Sequence, residues 1–258
     1  MREIFAIIIL GLVGMFSLPA IAAEPINIAA IFAKTGIAVK HNAPHVQMVE
    51  LSVEEINNQG GLLGRPIELI IIDNKSSPVG SSMAAKKAVQ LQAAAVIGAA
   101  WSSHSLQIAP ILQQAKIPMI TGPSTNPKVT RIGNFIFRTC FIDSFQAQAM
   151  AQFAYTELGA RTAIVLEIIN EEYSLTLAEL FSKSYQQYGG KVIRKDSYEN
   201  DAVDFANILK KVKTLHPDVV YVPGYGRDSG LLIKQADFME IQTTFLGGDG
   251  WAESLIYD

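Results

Sequence analysis

The sequence predicts an α/β protein built as two doubly wound parallel-sheet lobes joined by a hinge. From Ile26 onward, short apolar runs alternate with helical stretches, an order typical of βαβ units. The strand runs are nearly continuous in apolar residues, as in Ile67 to Ile72, which suits a sheet covered on both faces. The alternation is interrupted between Asn126 and Ser144, so one lobe is expected to end there and the other to begin.

The positions of the apolar patterns predict the strands and helices in order along the chain. Apolar runs predict strands at 26–32, 67–72, 95–98, 117–121, 135–138, 162–166, 191–198, 218–222 and 244–246. Apolar residues at helical spacing predict helices at 44–58, 81–94, 103–115, 143–158, 175–188, 203–215 and 228–239. Glycine pairs at 60–61 and 189–190 are typical of helix C-termini, and Asp143 with Gln146 resembles a capping box that opens a helix.

Composition excludes several classes of function. Apolar residues make up 49% and charged residues 17% of the 258 positions, which excludes a disordered chain. The net charge of −3 provides no positive surface, so nucleic acid is excluded as a partner. The single cysteine, Cys140, excludes an internal disulfide framework and a thiolate metal cluster. Pro44 separates His41 from His45 and no third ligand is evident, so the sequence predicts no metal and no cofactor.

The first residues have the pattern of an export signal. A charge-free apolar run over 4–16 is followed by small residues in the pattern Ala20-Ile21-Ala22, and the run is short for a bilayer span. The sequence therefore predicts cleavage near Ala22 or Ala23 and a mature protein in the periplasm. The expected domains are a signal peptide at 1–22, a first lobe at 23–142 and a second lobe at 143–258.

Function is expected in the loops after the strands, because ligands of such sheets bind beyond the carboxyl ends of the strands. Ser102 and Ser103 follow one strand and open a helix, where N–H groups and a hydroxyl form an anion site. From the residues alone, a plain N-cap role for Ser102 or Ser103 is the better explanation. A serine nucleophile paired with His104 is disfavoured because no Gly-x-Ser-x-Gly elbow is present. The polar loop at 122–127 is either a second part of the site or a turn.

The loop at 224–230 comes nearest to a cofactor motif. Its Gly-x-Gly-x-x-x-Gly spacing is one residue off the dinucleotide fingerprint, and Asp249 ends the next strand. This is the best case for a nicotinamide-dependent α/β enzyme, which stays an alternative. The spacing is wrong, however, and exported proteins seldom meet soluble nicotinamide cofactors.

Several segments, in order along the chain, carry a resemblance to a known family. They are EINNQGGLLGRPI at 55–67, Ile97-Gly98 with Ser102-Ser103, STNP at 124–127, FRT at 137–139, DSFQ at 143–146, Asp204-Phe205, PDVV at 217–220 and LGGDG at 246–250. With these segments in this order, the chain from about Pro25 resembles the type I periplasmic solute-binding proteins. It is most similar to the leucine/isoleucine/valine-binding group, the receptors of branched-chain amino acid ABC transporters.

The resemblance implies that a zwitterionic amino acid is clamped between the lobes. The ligand carboxylate is expected at the hydroxyl and N–H of Ser102, with Ser103 beside it. Thr125 and the backbone of Pro123 are expected to meet the same carboxylate from the facing loop. Close relatives in the family bind amides, urea or aromatic acids, so the resemblance implies the carboxylate end of the site rather than the identity of the ligand.

The other end of the ligand is assigned to the second lobe by the same resemblance. The ammonium is expected at Asp249, with Tyr225 close enough for a hydrogen bond or a cation–π contact. Tyr173 matches the family aromatic that closes over the ligand, and His41 falls near a position that is often aromatic. Asp249 is shorter than the glutamate of the best-known amino-acid binders, and Trp101 puts a large ring directly before the serine pair.

The function implied is that of a non-enzymatic periplasmic receptor. It is expected to be a monomer that captures a small polar solute, an amino acid or a related amide or acid, and presents it to an inner-membrane ABC permease. A ligand-sensing domain of a receptor is the other alternative and would need a transmembrane helix after it. Family members continue past the position of Asp258 and cross back to the first lobe. The chain is therefore expected to be C-terminally truncated, and unstable or weak in binding when expressed alone.

Overall fold

Two parallel β-sheets form the framework of the protein, as the alternating pattern predicts. The computed structural model describes residues 24–252, so the predicted signal peptide at 1–22 and the last residues, 253–258, lie outside the described part. The first sheet consists of β1 (Ile26–Phe32), β2 (Ile67–Asp73), β3 (Ala95–Gly98), β4 (Met119–Thr121) and β5 (Ile136–Arg138), in the order β2-β1-β3-β4-β5. All of its pairings are parallel.

The second sheet repeats the arrangement further along the chain. It consists of β6 (Thr162–Ile168), β7 (Lys191–Tyr198), β8 (Val219–Val222) and β9 (Thr244–Gly247), in the order β7-β6-β8-β9, again all parallel. Both orders step outward from a central strand in two directions, which is the doubly wound topology. In such sheets the point where the order reverses lies at the carboxyl ends of the central strands, and a crevice forms there.

Helices connect the strands. They are α1 (Val39–Asn58), α2 (Pro78–Gln90), α3 (Ser102–Ala115), α4 (Lys128–Arg131), α5 (Asp143–Gln152), α6 (Glu172–Gln187), α7 (Ala206–Leu215) and α8 (Gly226–Phe238). A π-helical turn, Phe153–Glu157, extends α5, and a 3₁₀ turn, Asp249–Trp251, follows β9. Within residues 24–252, no helix is both long and apolar enough to cross a bilayer.

Helix α1 begins at Val39, earlier than the predicted start at Pro44. The buried side chain of Asn42 explains the longer helix. Its Nδ2 donates to the Ala38 carbonyl at 2.9 Å and its Oδ1 accepts from the N–H of Ala33 at 3.0 Å, so it ties the first turn to the end of β1. Pro44 lies inside α1 as its sixth residue, where it has no N–H to donate to a carbonyl of the preceding turn.

The predicted capping box at Asp143 is wrong. The N-cap of α5 is Ile142, and Asp143 is already the first helical residue. The amide of Gln146 donates to Asp143 Oδ1 at 2.9 Å instead of turning back to a backbone N–H. The glycine pair at 60–61 does end a helix, because Gly61 N–H donates to the Ile56 carbonyl at 2.9 Å while Gly60 adopts a φ of 97°.

The first sheet has an apolar core of its own, and a larger core around the second sheet extends to residues of the first unit that face it. The core of the first sheet includes Ile31, Ile108 and Leu112, all fully buried. In the second, the ring of Phe181 on α6 stacks 3.9 Å from that of Tyr221 on β8. Gly98 at the end of β3 has a φ of 122°, and a Cβ there would collide with the carbonyl oxygen of Ile31. A glycine is therefore required where β3 meets β1 next to the crevice.

The chain passes from the first sheet to the second between β5 and α5, through residues 139–142. The two units also touch directly. Asn126, in the loop after β4, donates to the Glu172 carbonyl at 3.1 Å and to the Thr176 hydroxyl at 2.9 Å. Lys128 and Glu172 form an exposed ion pair at 3.2 Å. These contacts bring the carboxyl ends of both sheets to the same crevice.

Candidate ligand-binding site

A cavity of about 390 Å³ lies where the strand-to-helix loops of the two units meet. Residues of the first unit, of the second unit and of the 3₁₀ turn after β9 all contribute to its wall. The lining residues are Lys40, His41, Pro44, His45, Ala100, Trp101, Ser102, Pro123, Tyr173, Tyr225, Asp249, Gly250 and Ala252. Among them are five of the residues that the sequence assigns to a site: Ser102, Pro123, Tyr173, Tyr225 and Asp249.

Ser103 and Thr125 are not among the residues that line this cavity. Both are buried, Ser103 at 5% and Thr125 at 1% exposure. The Ser103 hydroxyl donates to Glu171 Oε2 at 3.0 Å, whereas the buried Thr125 hydroxyl makes no hydrogen bond within residues 24–252.

Ser102 lies at the amino end of α3 and faces the cavity. The N-cap is Trp101, which makes no side-chain capping bond, so the N-cap role considered for Ser102 or Ser103 is wrong. Instead, Ser102 Oγ accepts from the N–H of Asn126 at 3.2 Å and fixes the neighbouring loop. The first N–H groups of a helix have no partner within the helix, and they favour an anion. This end of the cavity is therefore suited to a carboxylate.

Asp249 faces the cavity from the second unit and is held by two donors. Tyr173 O–H donates to Asp249 Oδ1 at 2.9 Å, and Gln146 Nε2 donates to the same oxygen at 2.8 Å. Gln146 Oε1 in turn accepts from the Asp249 N–H at 3.1 Å. Within residues 24–252, the hydrogen bonds to this side chain fall on Oδ1, which leaves Oδ2 for a ligand.

Burial makes the carboxyl groups of Asp249 and Asp143 costly to ionise. It raises the pKa of Asp249, and it raises the pKa of Asp143 to about 6, in both cases against the hydrogen bonds that stabilise the anion. The amide of Gln146 bridges them, donating to Asp143 Oδ1 at 2.9 Å and to Asp249 Oδ1 at 2.8 Å. A cation next to Asp249 would offset the cost of burial, so this end of the cavity is suited to an ammonium group.

Aromatic rings from both units form the remaining wall. Trp101 of the first unit stacks on Tyr225 of the second, with ring centroids 4.4 Å apart and planes 11° apart. Tyr173 stacks on the other side of Tyr225 at 5.5 Å, and His41 lies 5.6 Å from the same ring. Tyr225 is therefore the centre of a group of rings that crosses from one unit to the other.

Two residues of the site have no signal in the sequence. The sequence predicts Gln146 only as part of a helix cap, and Glu171 is one acid in a loop that also contains Glu172. Glu171 is 4% exposed and accepts from the Tyr225 hydroxyl at 3.1 Å and from the Ser103 hydroxyl at 3.0 Å. The packing of three separate segments decides that Glu171 and not Glu172 is buried, and no local sequence pattern predicts this choice.

The loop that resembles a dinucleotide motif is filled by the protein itself. A Cβ at Gly224 would collide with the Tyr198 hydroxyl and the Asp228 carboxylate, which are hydrogen-bonded to each other. Asp228 Oδ1 also accepts from the Tyr225 N–H at 3.1 Å at the amino end of α8. A carboxylate of the chain thus occupies the position that a pyrophosphate would take.

Two parallel-sheet units with a crevice between them, a helix amino end on one side and a carboxylate on the other, define the class of two-lobed solute-binding proteins. The chain belongs to the family described as periplasmic binding protein, whose sequence profile matches residues 25–256. No group of three or more histidine, cysteine, aspartate or glutamate side chains suited to a metal ion occurs within residues 24–252.

Relatives and solved structures agree with this assignment. The chain is 27% identical to the Leu/Ile/Val-binding protein BraC3 of Rhizobium johnstonii over 242 residues, covering 93% of this chain and 65% of that protein. It is similar to the leucine-binding protein LivK of Thermotoga maritima, with 34% identity and a TM-score of 0.81 over 88% of this chain and 64% of that one. It is also similar to LivJ of Streptococcus pneumoniae in complex with isoleucine, with 28% identity and a TM-score of 0.82 over 88% of this chain and 65% of that one.

The chain spans a little under two thirds of the length of these relatives. The matched part contains both parallel sheets and the whole lining of the cavity described above.

Proposed function

We propose that the chain captures a small zwitterionic solute, an α-amino acid, in the cavity between its two units. One observation carries the proposal: the amino end of α3 at Ser102 and the carboxylate of Asp249 line the same cavity. The first is suited to a carboxylate and the second to an ammonium group. The relatives are named for binding leucine, isoleucine and valine, and LivJ was solved with isoleucine, which supports the same class of ligand.

The chain then acts as the receptor of an ABC transporter, delivering its ligand to an inner-membrane permease as a monomer. It performs no catalysis in this role. A receptor needs convergent donors and a closing crevice, but no activated nucleophile. The names of the relatives, which are binding proteins, support this assignment.

A thermal-shift screen tests the ligand class. The common amino acids, short amides and aromatic acids are added one at a time, and at least one α-amino acid is expected to raise the melting temperature. A ligand present at about 100 times its Kd stabilises the folded state by about 2.7 kcal/mol. If only compounds that lack an ammonium group shift the melting temperature, the assignment of Asp249 is overturned.

The alternative function, that of a nicotinamide-dependent enzyme, is tested separately. NAD and NADP are added to the purified chain, which is then desalted and examined for dinucleotide absorbance. No bound dinucleotide is expected, because Asp228 fills the amino end of α8. Retention of about one dinucleotide per chain would revive the enzyme alternative.

We further propose that the chain is exported and that residues 1–22 are removed. Mature protein recovered from the periplasm is expected to begin at Ala23 or Glu24, because the small-residue pattern Ala20-Ile21-Ala22 precedes that position. Mass spectrometry of the intact protein measures this directly. A periplasmic protein that retains Met1 to Ala22 would contradict the prediction.

A further inference from the structure

Glu171 joins the two units from a buried position next to the cavity. It precedes α6 in the second unit, and its carboxyl is met by one hydroxyl from each unit. Ser103 on α3 of the first unit donates to Oε2 at 3.0 Å, and Tyr225 at the start of α8 donates to Oε1 at 3.1 Å. One carboxyl group therefore fastens α3 to α8 and holds the ring that lines the cavity.

We propose that Glu171 is an interlobe latch, which holds the crevice closed and positions Tyr225 against the ligand. The latch rests on one part of the proposed function, namely that the crevice opens and closes. Opening would separate Ser103 from Glu171 and expose the carboxyl to water. Tyr225 would lose the stack on Trp101 in the same movement, since that stack also crosses between the units.

The latch differs from the exposed ion pair between the units because it is buried. Glu172, the next residue, also crosses to the first unit, through the ion pair with Lys128. That pair is exposed, with 43% of the Glu172 side chain and 63% of the Lys128 side chain accessible, so it contributes little. Glu171 is 4% exposed, and leaving a buried carboxyl without its donors is costly.

The surroundings of Glu171 make the latch sensitive to pH. Burial raises its pKa to about 7, against the hydrogen bonds from Ser103 and Tyr225, and Glu172 on its own helix adds to the rise. The titratable groups on the facing helices have partners of their own. On α3, His104 is hydrogen-bonded to Asn74, and burial lowers its pKa to about 4, so it stays neutral.

Two more titratable groups, Asp228 and His41, lie on the helices that face the latch, and each has a neighbour of its own. On α8, Asp228 is hydrogen-bonded to Tyr198, and on α1, His41 lies against the ring of Tyr225. A carboxyl with a pKa of about 7 in the closed crevice and an ordinary pKa in the open one takes up a proton on closing. Closure is therefore favoured as the pH falls from about 7 towards about 4.5.

The test measures closure without any ligand, so its failure is separate from a failure of amino-acid binding. Spin labels are attached to cysteines at two exposed positions, Met83 on α2 and Phe238 on α8, in a chain with Cys140→Ser. Their distance distribution gives the closed-to-open ratio at pH 8 and at pH 5.5. Between pH 8 and pH 5.5, the closed-to-open ratio of the parent chain is expected to rise roughly tenfold or more beyond any rise in a Glu171→Gln chain.

Glu171→Gln keeps the shape of the side chain and one acceptor oxygen, and it cannot titrate; the hydroxyl that faces its amide nitrogen must accept instead of donate. A structural role alone would leave both proteins with the same pH profile. Glu172→Gln is the matched control and is expected to follow the parent. The latch is overturned if the parent ratio does not change with pH, if the parent is open throughout, or if Glu171→Gln follows the parent. Glu171→Ala is expected to shift the distribution towards the open form at both pH values.

Discussion

Replacing Asp249 with asparagine is expected to weaken binding of the amino-acid ligand by about 2–5 kcal/mol, roughly 30-fold to several thousand-fold in Kd. The side chain would keep its size and its acceptor for Tyr173 and Gln146, which donate to Oδ1 at 2.9 and 2.8 Å. What it loses is the negative charge opposite the ligand ammonium. A desolvated cation without a counter-charge is costly, so the loss appears in affinity rather than in folding.

Titration calorimetry with the amino acid that stabilises the chain most measures the effect. Asp237→Asn on the exposed face of α8 is the matched control, since it removes the same charge far from the cavity lining, and its Kd is expected to stay within twofold of the parent. An unchanged Kd for Asp249→Asn would mean that the ammonium is held elsewhere or that the ligand has none.

Replacing Phe181 with alanine is expected to cost about 3–5 kcal/mol of unfolding free energy. The ring is fully buried on α6, stacked 3.9 Å from Tyr221 and 5.4 Å from Tyr185. Its loss leaves a cavity between the helix and β8 that the neighbouring rings cannot fill. For a domain of this size the melting temperature is expected to fall by roughly 6–20 °C.

Phe238→Ala provides the matched control for this loss. Phe238 is 90% exposed at the end of α8, so the same change of side chain is expected to alter the unfolding free energy by less than about 0.5 kcal/mol. Chemical unfolding of the two variants measures the difference. Equal stability of both would mean that Phe181 is not part of a close-packed core.

The fold is predictable from the sequence because the spacing of apolar residues indicates which segments form strands and which form helices. The run at 67–72 is continuous in apolar residues apart from Glu68, and it forms β2 as predicted. Because β2 lies at the edge of the first sheet, only Ile67 and Ile72 are buried and the apolar residues between them are half-buried. Helix starts are less predictable. Val39 begins α1 because Asn42 is anchored to Ala33 and Ala38, a set of contacts that depends on where β1 lies.

The site is predictable only in part, for a related reason. Residues that open a helix or end a strand, such as Ser102 and Asp249, are marked by their position, and both line the cavity. Ser103 is also at a helix start, but the carboxyl of Glu171 draws its hydroxyl away from the cavity. Contacts between segments far apart in the sequence decide such details, and a single sequence does not record them.

The most direct measurement compares one ligand with its two incomplete forms. The amino acid that stabilises the chain most is titrated beside the amine that lacks its carboxylate and the acid that lacks its ammonium. Recognition of both ends, by the amino end of α3 and by Asp249, predicts that only the intact amino acid binds tightly, with each analogue weaker by roughly 30-fold or more. Equal binding of either analogue, or no binding by any amino acid, would contradict the proposed capture of a zwitterion.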